Sequence, residues 1–258
     1  VTRLAVLFFV CLRAMPQTGP PSNEEQQGII EEARKVALSY TQSLPNFTCD
    51  QDTDRYVNPH GDKSKEDWKR LDRYTTKLTY DGVKEDYKLI AVNGKPVQNR
   101  ALDSIGGIIS KGDFASALRY IFAAGSQAKF EWYSWASVRG HICYRFQYSV
   151  DQPHSRWLIQ EGGTTAAYQT AYRGVVSIDQ ETRQTLMLTL EAFGIPPGFG
   201  VEVVKEELDY DWAVIGGTRY LLPFNLEVRL SAGKQLSRNV SRYENYRKFS
   251  ADANITFH

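Results

Sequence analysis

After one helix, the sequence alternates. From Phe47 almost to the C-terminus, apolar and polar residues change places at every second position, and pairs of turn-forming residues punctuate the runs. A period of two puts successive side chains on opposite faces of an extended strand, so this chain must build a sheet and bury one side of it. Arg73 to Tyr80 shows the pattern, with Tyr74, Thr76, Leu78 and Tyr80 on one face. Asp81-Gly82 and Asn93-Gly94 bracket a return strand from Val83 to Val92 and supply the positive φ angles of tight hairpins. Two such turns in succession predict an antiparallel meander. Further strands are predicted at 129–138, 141–150, 155–160, 165–178, 183–193, 201–212, 219–223, 226–231 and 236–249. The separators between them include Arg139-Gly140, Gly162-Gly163, Asp179-Gln180-Glu181, Pro196-Pro197-Gly198, Gly216-Gly217 and Ala232-Gly233.

The helix that precedes this region has a capping box. Ser22 and Glu25 can each satisfy a free backbone N–H of the other's residue. Ile29, Ile30, Ala33, Val36, Ala37, Tyr40 and Leu44 then share one face, and Pro45 ends the helix by forcing its predecessor out of helical geometry. A shorter helix is predicted from an Asp113 cap through Phe114, Leu118, Ile121 and Phe122 to a stop at Gly125. No repeat of 20–50 residues is evident, and no structureless linker divides the chain. The fold class read from this is mainly β (α+β): a curved antiparallel sheet with an N-terminal amphipathic helix and a short inserted helix packed on it. Residues 17–258 are read as a single antiparallel β domain.

At the N-terminus, Arg3 leads into an apolar stretch from Leu4 to Leu12, followed by Ala14 and the spacer from Pro16 to Pro21. A basic flank, a short apolar core and a small residue are the parts of a secretory signal peptide, read here as residues 1–16. The stretch is shorter than the ~20 residues that span a bilayer. An exported, periplasmic location follows, close to a membrane but not across it. Removal of Cys11 with the signal leaves Cys49 and Cys143, which in an oxidising compartment are candidates for one disulfide closing a long loop. Two buried free thiols are the other reading.

The chain carries 31 basic and 30 acidic residues, a net charge of +1, with no basic run to draw nucleic acid. His60, His141, His154 and His258 are scattered, and the two remaining cysteines stand alone, so no metal centre is expected. Phosphate loops, dinucleotide fingerprints and nucleophile elbows are absent from the sequence, and no cofactor is implied. Glu207, Asp209 and Asp211 share a face around Tyr210, and a glycosidase needs two carboxylates ~5–9.5 Å apart. The plainer reading is a solvated strand face with basic partners on neighbours such as Arg229 or Arg242. An enzyme is not expected.

The aromatic residues carry more information. Trp132, Trp135, Tyr144, Phe146, Tyr148 and Trp157 crowd three successive predicted strands, together with Phe130 and Tyr133. Strict alternation puts Phe130 and Trp132 on one face and Tyr133 and Trp135 on the other, and Tyr144, Phe146 and Tyr148 together. Either these side chains fill an ordinary core or they line a concave apolar pocket for a ligand. We take the six as candidate ligand-binding residues, with no catalytic or metal-binding residue among them.

The run Tyr172-Arg173-Gly174-Val175-Val176-Ser177-Ile178-Asp179, with Thr182 and Leu186 to Glu191, resembles a known family, as do Leu208-Asp209-Tyr210 and Gly216 to Pro223. The strand–turn–strand rhythm is similar to that of the bacterial outer-membrane lipoprotein carriers and related periplasmic sensor domains, the LolA/LolB-like group. The resemblance implies an unclosed barrel with helices plugging a concave, acyl-chain-binding face. It implies an exported cell-envelope protein that binds an apolar ligand such as a lipid or acyl chain. A non-catalytic structural or protein-interaction module of the envelope, partnered by another envelope protein, is the alternative.

Overall fold

The computed structural model describes residues 19–60, 67–82, 84–106, 116–160 and 167–249. The expected signal peptide, the Asp113 cap and the Gly162-Gly163 turn lie outside these residues. Helix α1 (Asn23–Ser43) begins as its capping box requires: Glu25 N–H donates to Ser22 Oγ at 3.3 Å, and Ser22 N–H donates to the Glu25 carboxylate at 2.7 Å. It ends at Leu44, whose ψ of 131° is the extended geometry expected before Pro45.

The strands are β1 (Phe47–Asn58), β2 (Lys69–Tyr80), β3 (Glu85–Val92), β4 (Lys95–Pro96), β5 (Lys129–Val138), β6 (His141–Val150), β7 (Leu158–Gln160), β8 (Ala167–Gln169), β9 (Ala171–Asp179), β10 (Thr185–Phe193), β11 (Val203–Ile215), β12 (Thr218–Ala232) and β13 (Gln235–Lys248). Helix α2 (Ser116–Phe122) precedes β5. Eleven strands form one antiparallel sheet in the order β4-β3-β2-β1-β13-β12-β11-β10-β9-β6-β5, and β7 and β8 form a separate hairpin. The order does not close on itself, so the sheet is an unclosed barrel wall with β4 and β5 at its ends. One long-range pairing makes this shape: β1 lies beside β13, which joins the N-terminal hairpins to the C-terminal ones.

Both helices lie on one face of the sheet, called inner here. Ile29, Ala33 and Ala37 of α1 and Leu118, Ile121 and Phe122 of α2 are buried in one cluster with Phe146, Ile178, Leu188 and Leu208 of the strands. The inner face has a second, polar half on β1, β2 and β13. There Gln51 donates to the Tyr243 hydroxyl at 3.0 Å, Thr76 donates to Gln51 at 2.9 Å, and Thr53 and Ser241 share a bond of 2.8 Å. Burial of these groups costs little because each is paired. Arg55 completes that half, bonding both oxygens of Asp72 at 2.7 and 2.5 Å and the carbonyls of Ile105 and Gly106.

Three expectations are corrected here. The two strands predicted at 219–223 and 226–231 are one, β12, carried through a bulge in which the step from Asp209 to Tyr210 on β11 faces the step from Asn225 to Pro223. The strand predicted at 165–178 is broken at Thr170, whose hydroxyl donates to Ala171 and Phe193 carbonyls, so β8 and β9 belong to different sheets. Cys49 and Cys143 are free, buried thiols and form no disulfide. Cys49 is on β1 and Cys143 on β6, and five strands stand between them in the sheet. At ~4.8 Å per strand, that separation far exceeds the reach of a disulfide. Burial raises both thiol pKa values, that of Cys143 to about 11, and Cys49 is shifted further still.

Candidate functional site

The six aromatic residues singled out in the sequence converge on the inner face. On β5 the alternation breaks: pairing with β6 shifts register between Trp132 and Ser134, so one extra residue is inserted. This bulge turns Trp135 onto the same side as Trp132, against the strict alternation expected from sequence. The two indoles meet edge to face at 5.3 Å. Trp132 also packs on Phe146 at 5.6 Å, and Trp135 on Tyr144 at 4.8 Å. Tyr133 alone goes to the other face, where the Arg145 guanidinium lies 4.9 Å above its ring.

The network continues inward through residues that the sequence reading did not single out as site residues. Phe130 stacks between Phe122 of α2 at 5.7 Å and Tyr148 at 6.2 Å. Tyr148 meets Tyr172 at 6.3 Å, and Trp157 closes on Tyr172 at 5.9 Å. Tyr172 donates to the Tyr120 carbonyl at 2.5 Å, which ties α2 to β9. The sequence signal for Tyr172 was present in its alternation with Val176 and Ile178. Phe122 gave none, because its partner Phe130 is reached only through the tertiary fold.

Tyr144, Phe146, Tyr148 and Trp157 are buried, while Trp132 and Trp135 are partly exposed toward the β5 end of the sheet. The expected apolar pocket is therefore an apolar surface with the helices seated on it. Burial raises the Tyr148 and Tyr172 hydroxyl pKa values, so both remain neutral donors.

The covering helix α1 buries Ile29, Ala33 and Ala37 fully, and Ile30, Leu38 and Tyr40 pack partly exposed against the same core. Burying a side chain such as Ile contributes ~2 kcal/mol, and an alanine methyl less than half of that. Three polar ties at its edges fix its position: Arg34 donates to the Phe122 carbonyl at 3.0 Å, Tyr40 to the Leu221 carbonyl at 2.5 Å, and Glu32 pairs with Arg183 at 2.7 Å. The chain entering α1 crosses the aromatic edge, where Trp135 Nε1 donates to the Gly19 carbonyl at 3.0 Å.

A kink in the sheet sits beneath Tyr148. Between Leu188–Val176 and Glu191–Arg173 the β9–β10 ladder is interrupted, and Gly174 lies in the gap. Tyr148 donates there to the Thr189 carbonyl at 2.6 Å, and Val175 N–H donates to Thr189 Oγ1 at 2.9 Å. On the opposite, helix-free face a cavity of 650 Å³ opens over this kink.

The acidic strand faces that outer side. Asp209 and Asp211 are 3.6 and 3.8 Å from Arg139 of the β5–β6 turn, rather than from Arg229 or Arg242. Asp209 is raised by burial, which outweighs Arg139, and Glu207 is raised by burial and by Asp209 and Glu227. His141 Nδ1 donates at 3.0 Å to Asp179, a buried carboxylate that also receives the Thr182 N–H and hydroxyl at 2.7 Å each. Among the described residues, no cluster of potential metal ligands occurs and no helix is long and apolar enough to cross a membrane.

No protein-family model and no curated protein matches this sequence. Among solved structures, the chain is similar to a DUF1329 family protein from Desulfovibrio piger, at 12% identity over 89% of this chain and 94% of that one, with a TM-score of 0.43. A LolA superfamily protein from Nitrosomonas europaea matches at 12% identity over 90% and 97%, with a TM-score of 0.35. A Vibrio parahaemolyticus domain described as an outer-membrane lipoprotein-sorting protein matches at 9% identity over 88% and 94%, with a TM-score of 0.44. Each of these likenesses is one of backbone fold at low identity.

Proposed function

We propose that the protein is an exported, non-catalytic binding protein of the cell envelope, and that its ligand is a lipid or acyl chain. The ligand occupies the aromatic inner face at Trp132, Trp135, Tyr144, Phe146, Tyr148 and Trp157 when α1 moves aside. One observation carries this reading: a continuous run of aromatic ring contacts lines the inner face, and the helix in the same core, α1, fully buries only Ile29, Ala33 and Ala37 there while Ile30, Leu38 and Tyr40 stay partly exposed. An acyl chain can replace such a cover because its own burial recovers ~0.8 kcal/mol per methylene. The Tyr148 hydroxyl and the Trp135 Nε1 are tied to the Thr189 and Gly19 carbonyls, which suits a ligand recognised by area and shape.

The test is hydrogen exchange across residues 23–43 of the intact protein, with and without a long-chain fatty acid. Binding should increase exchange in α1 while β6 and β9 stay protected. Binding that leaves α1 as protected as before would remove this function from the inner face. The alternative, a protein-interaction module, is supported by β5: it is a ten-residue strand at the end of the sheet order, with no strand beyond it among the described residues. An extended segment of another envelope protein can pair with such an edge.

A further inference from the structure

The helix-free face has an order of charges that appears only when the strands are aligned. Register places Lys129 opposite Ser149, Ser149 opposite Arg173, Arg173 opposite Glu191, and Glu191 opposite Lys205, so one row crosses the sheet with three cations in it. Two residues along each strand a second row runs parallel. It places Glu131 opposite Gln147 and Val175 at one end, and Glu207 opposite Thr189 at the other. The two rows lie about 7 Å apart, the same-face spacing of a strand. Both line the 650 Å³ cavity above the Gly174 kink.

Within the cationic row Glu191 is shared, at 3.3 Å from Arg173 and 2.9 Å from Lys205, which leaves the two cations with one carboxylate between them. Among the described residues, Lys129, Glu131 and Glu207 make no hydrogen bond or ion pair. Four basic and five acidic side chains line the cavity, so its net charge nearly cancels while its two rows keep opposite sign. An anion drawn to the first row meets the carboxylates of the second, and a cation drawn to the second meets the first. A ligand with both charges gains from both rows.

We propose that this cavity is a second binding site, separate from the aromatic face, for a small zwitterion. Its anionic group meets Arg173 and Lys205, and its cationic group meets Glu207. Gly174 lets the Thr189 carbonyl approach where a Cβ would stand, so the floor of the cavity is close-packed backbone.

Titration of the full chain with γ-aminobutyrate, butyrate and butylamine, followed by amide shifts at Gln147, Gly174 and Thr189, tests this. The zwitterion should bind about tenfold tighter than either single-charge probe, because the second charge-assisted contact is made only by it. Lys205→Gln should move γ-aminobutyrate toward the affinity of butylamine, with Arg173 still in place, and Glu207→Gln should reduce it to that of butyrate. Both positions are surface-exposed, so thermal melting of each variant should match the parent and separate lost binding from lost folding. Equal affinity for the three probes, no binding by any, or binding indifferent to both substitutions would overturn the proposal.

Discussion

Replacing Gly174 with alanine should be among the most damaging small changes available in this protein. A Cβ at this position would lie 1.8 Å from the Thr189 carbonyl oxygen, 2.7 Å from its carbon and 2.9 Å from the Tyr148 hydroxyl. The first two are backbone atoms and cannot rotate away, so β9 and β10 must separate. Overpacking of this kind costs ~1–3 kcal/mol. Separation also breaks the 2.6 Å bond from Tyr148 to Thr189, worth ~1 kcal/mol, and leaves a buried hydroxyl unpaired. The expected loss is therefore ~3 kcal/mol, a large part of the 5–15 kcal/mol typical of a folded domain. Gly140→Ala is the control: it sits at φ +86° with nothing within 4 Å, so it should lose only ~1 kcal/mol from backbone conformation. Urea unfolding, with slopes of ~1–3 kcal/mol per molar, resolves the two. A Gly174→Ala midpoint no lower than that of Gly140→Ala would refute the argument from close approach.

The remaining predictions concern charge, thiols and the buried ion pair. Burial alone would raise the Asp179 carboxyl, but hydrogen bonds from Thr182 and the nearby His141 hold it below its usual value. It thus adds stability above the unfolded pKa of ~3.9 that is lost as pH falls through the folded value, and Asp179→Asn should flatten the acid limb of a stability–pH curve. Thiol titration at pH 8 should find Cys49 and Cys143 unreactive in the native protein and both reactive in guanidinium, since burial holds both thiols protonated; loss of a reactive pair after unfolding would mean a disulfide. Arg55→Met should cost ~3 kcal/mol by stranding Asp72, and Asp72→Asn in the same chain should recover part of that in chemical unfolding.

Local signals in the sequence were strong, and they account for most of the sheet. β5 and β6 appear at the boundaries expected from the alternation and from Arg139-Gly140, whose φ values of 48° and 86° are those of a tight hairpin. The two bulges were not legible. An extra residue in β5 leaves the residue types unchanged yet reverses which side Trp135 takes, and Pro223-Phe224 reads as a break although β12 absorbs it at a bulge, where a missing N–H is tolerated. Pairings between distant strands were also hidden. The separation of Cys49 from Cys143 follows from β1 lying beside β13, and the charged rows of the helix-free face exist only in the register of five strands. The aromatic cluster and the helices packed on the sheet were legible, but the individual partners, such as Phe122 against Phe130, were not, since nothing local says which side chains a helix will meet.

The proposed role of the inner face is tested most directly by quenching. Trp132 and Trp135 lie at the partly exposed end of the aromatic surface, whereas Trp68 and Trp212 lie outside the aromatic cluster described here. A fatty acid brominated along its chain quenches only indoles that it touches. The account predicts saturable quenching of the native protein that falls, in the Trp132→Phe, Trp135→Phe variant, to the part contributed by Trp157 alone while the fold is retained. Quenching of equal depth in that variant, or none in the native protein, would contradict it.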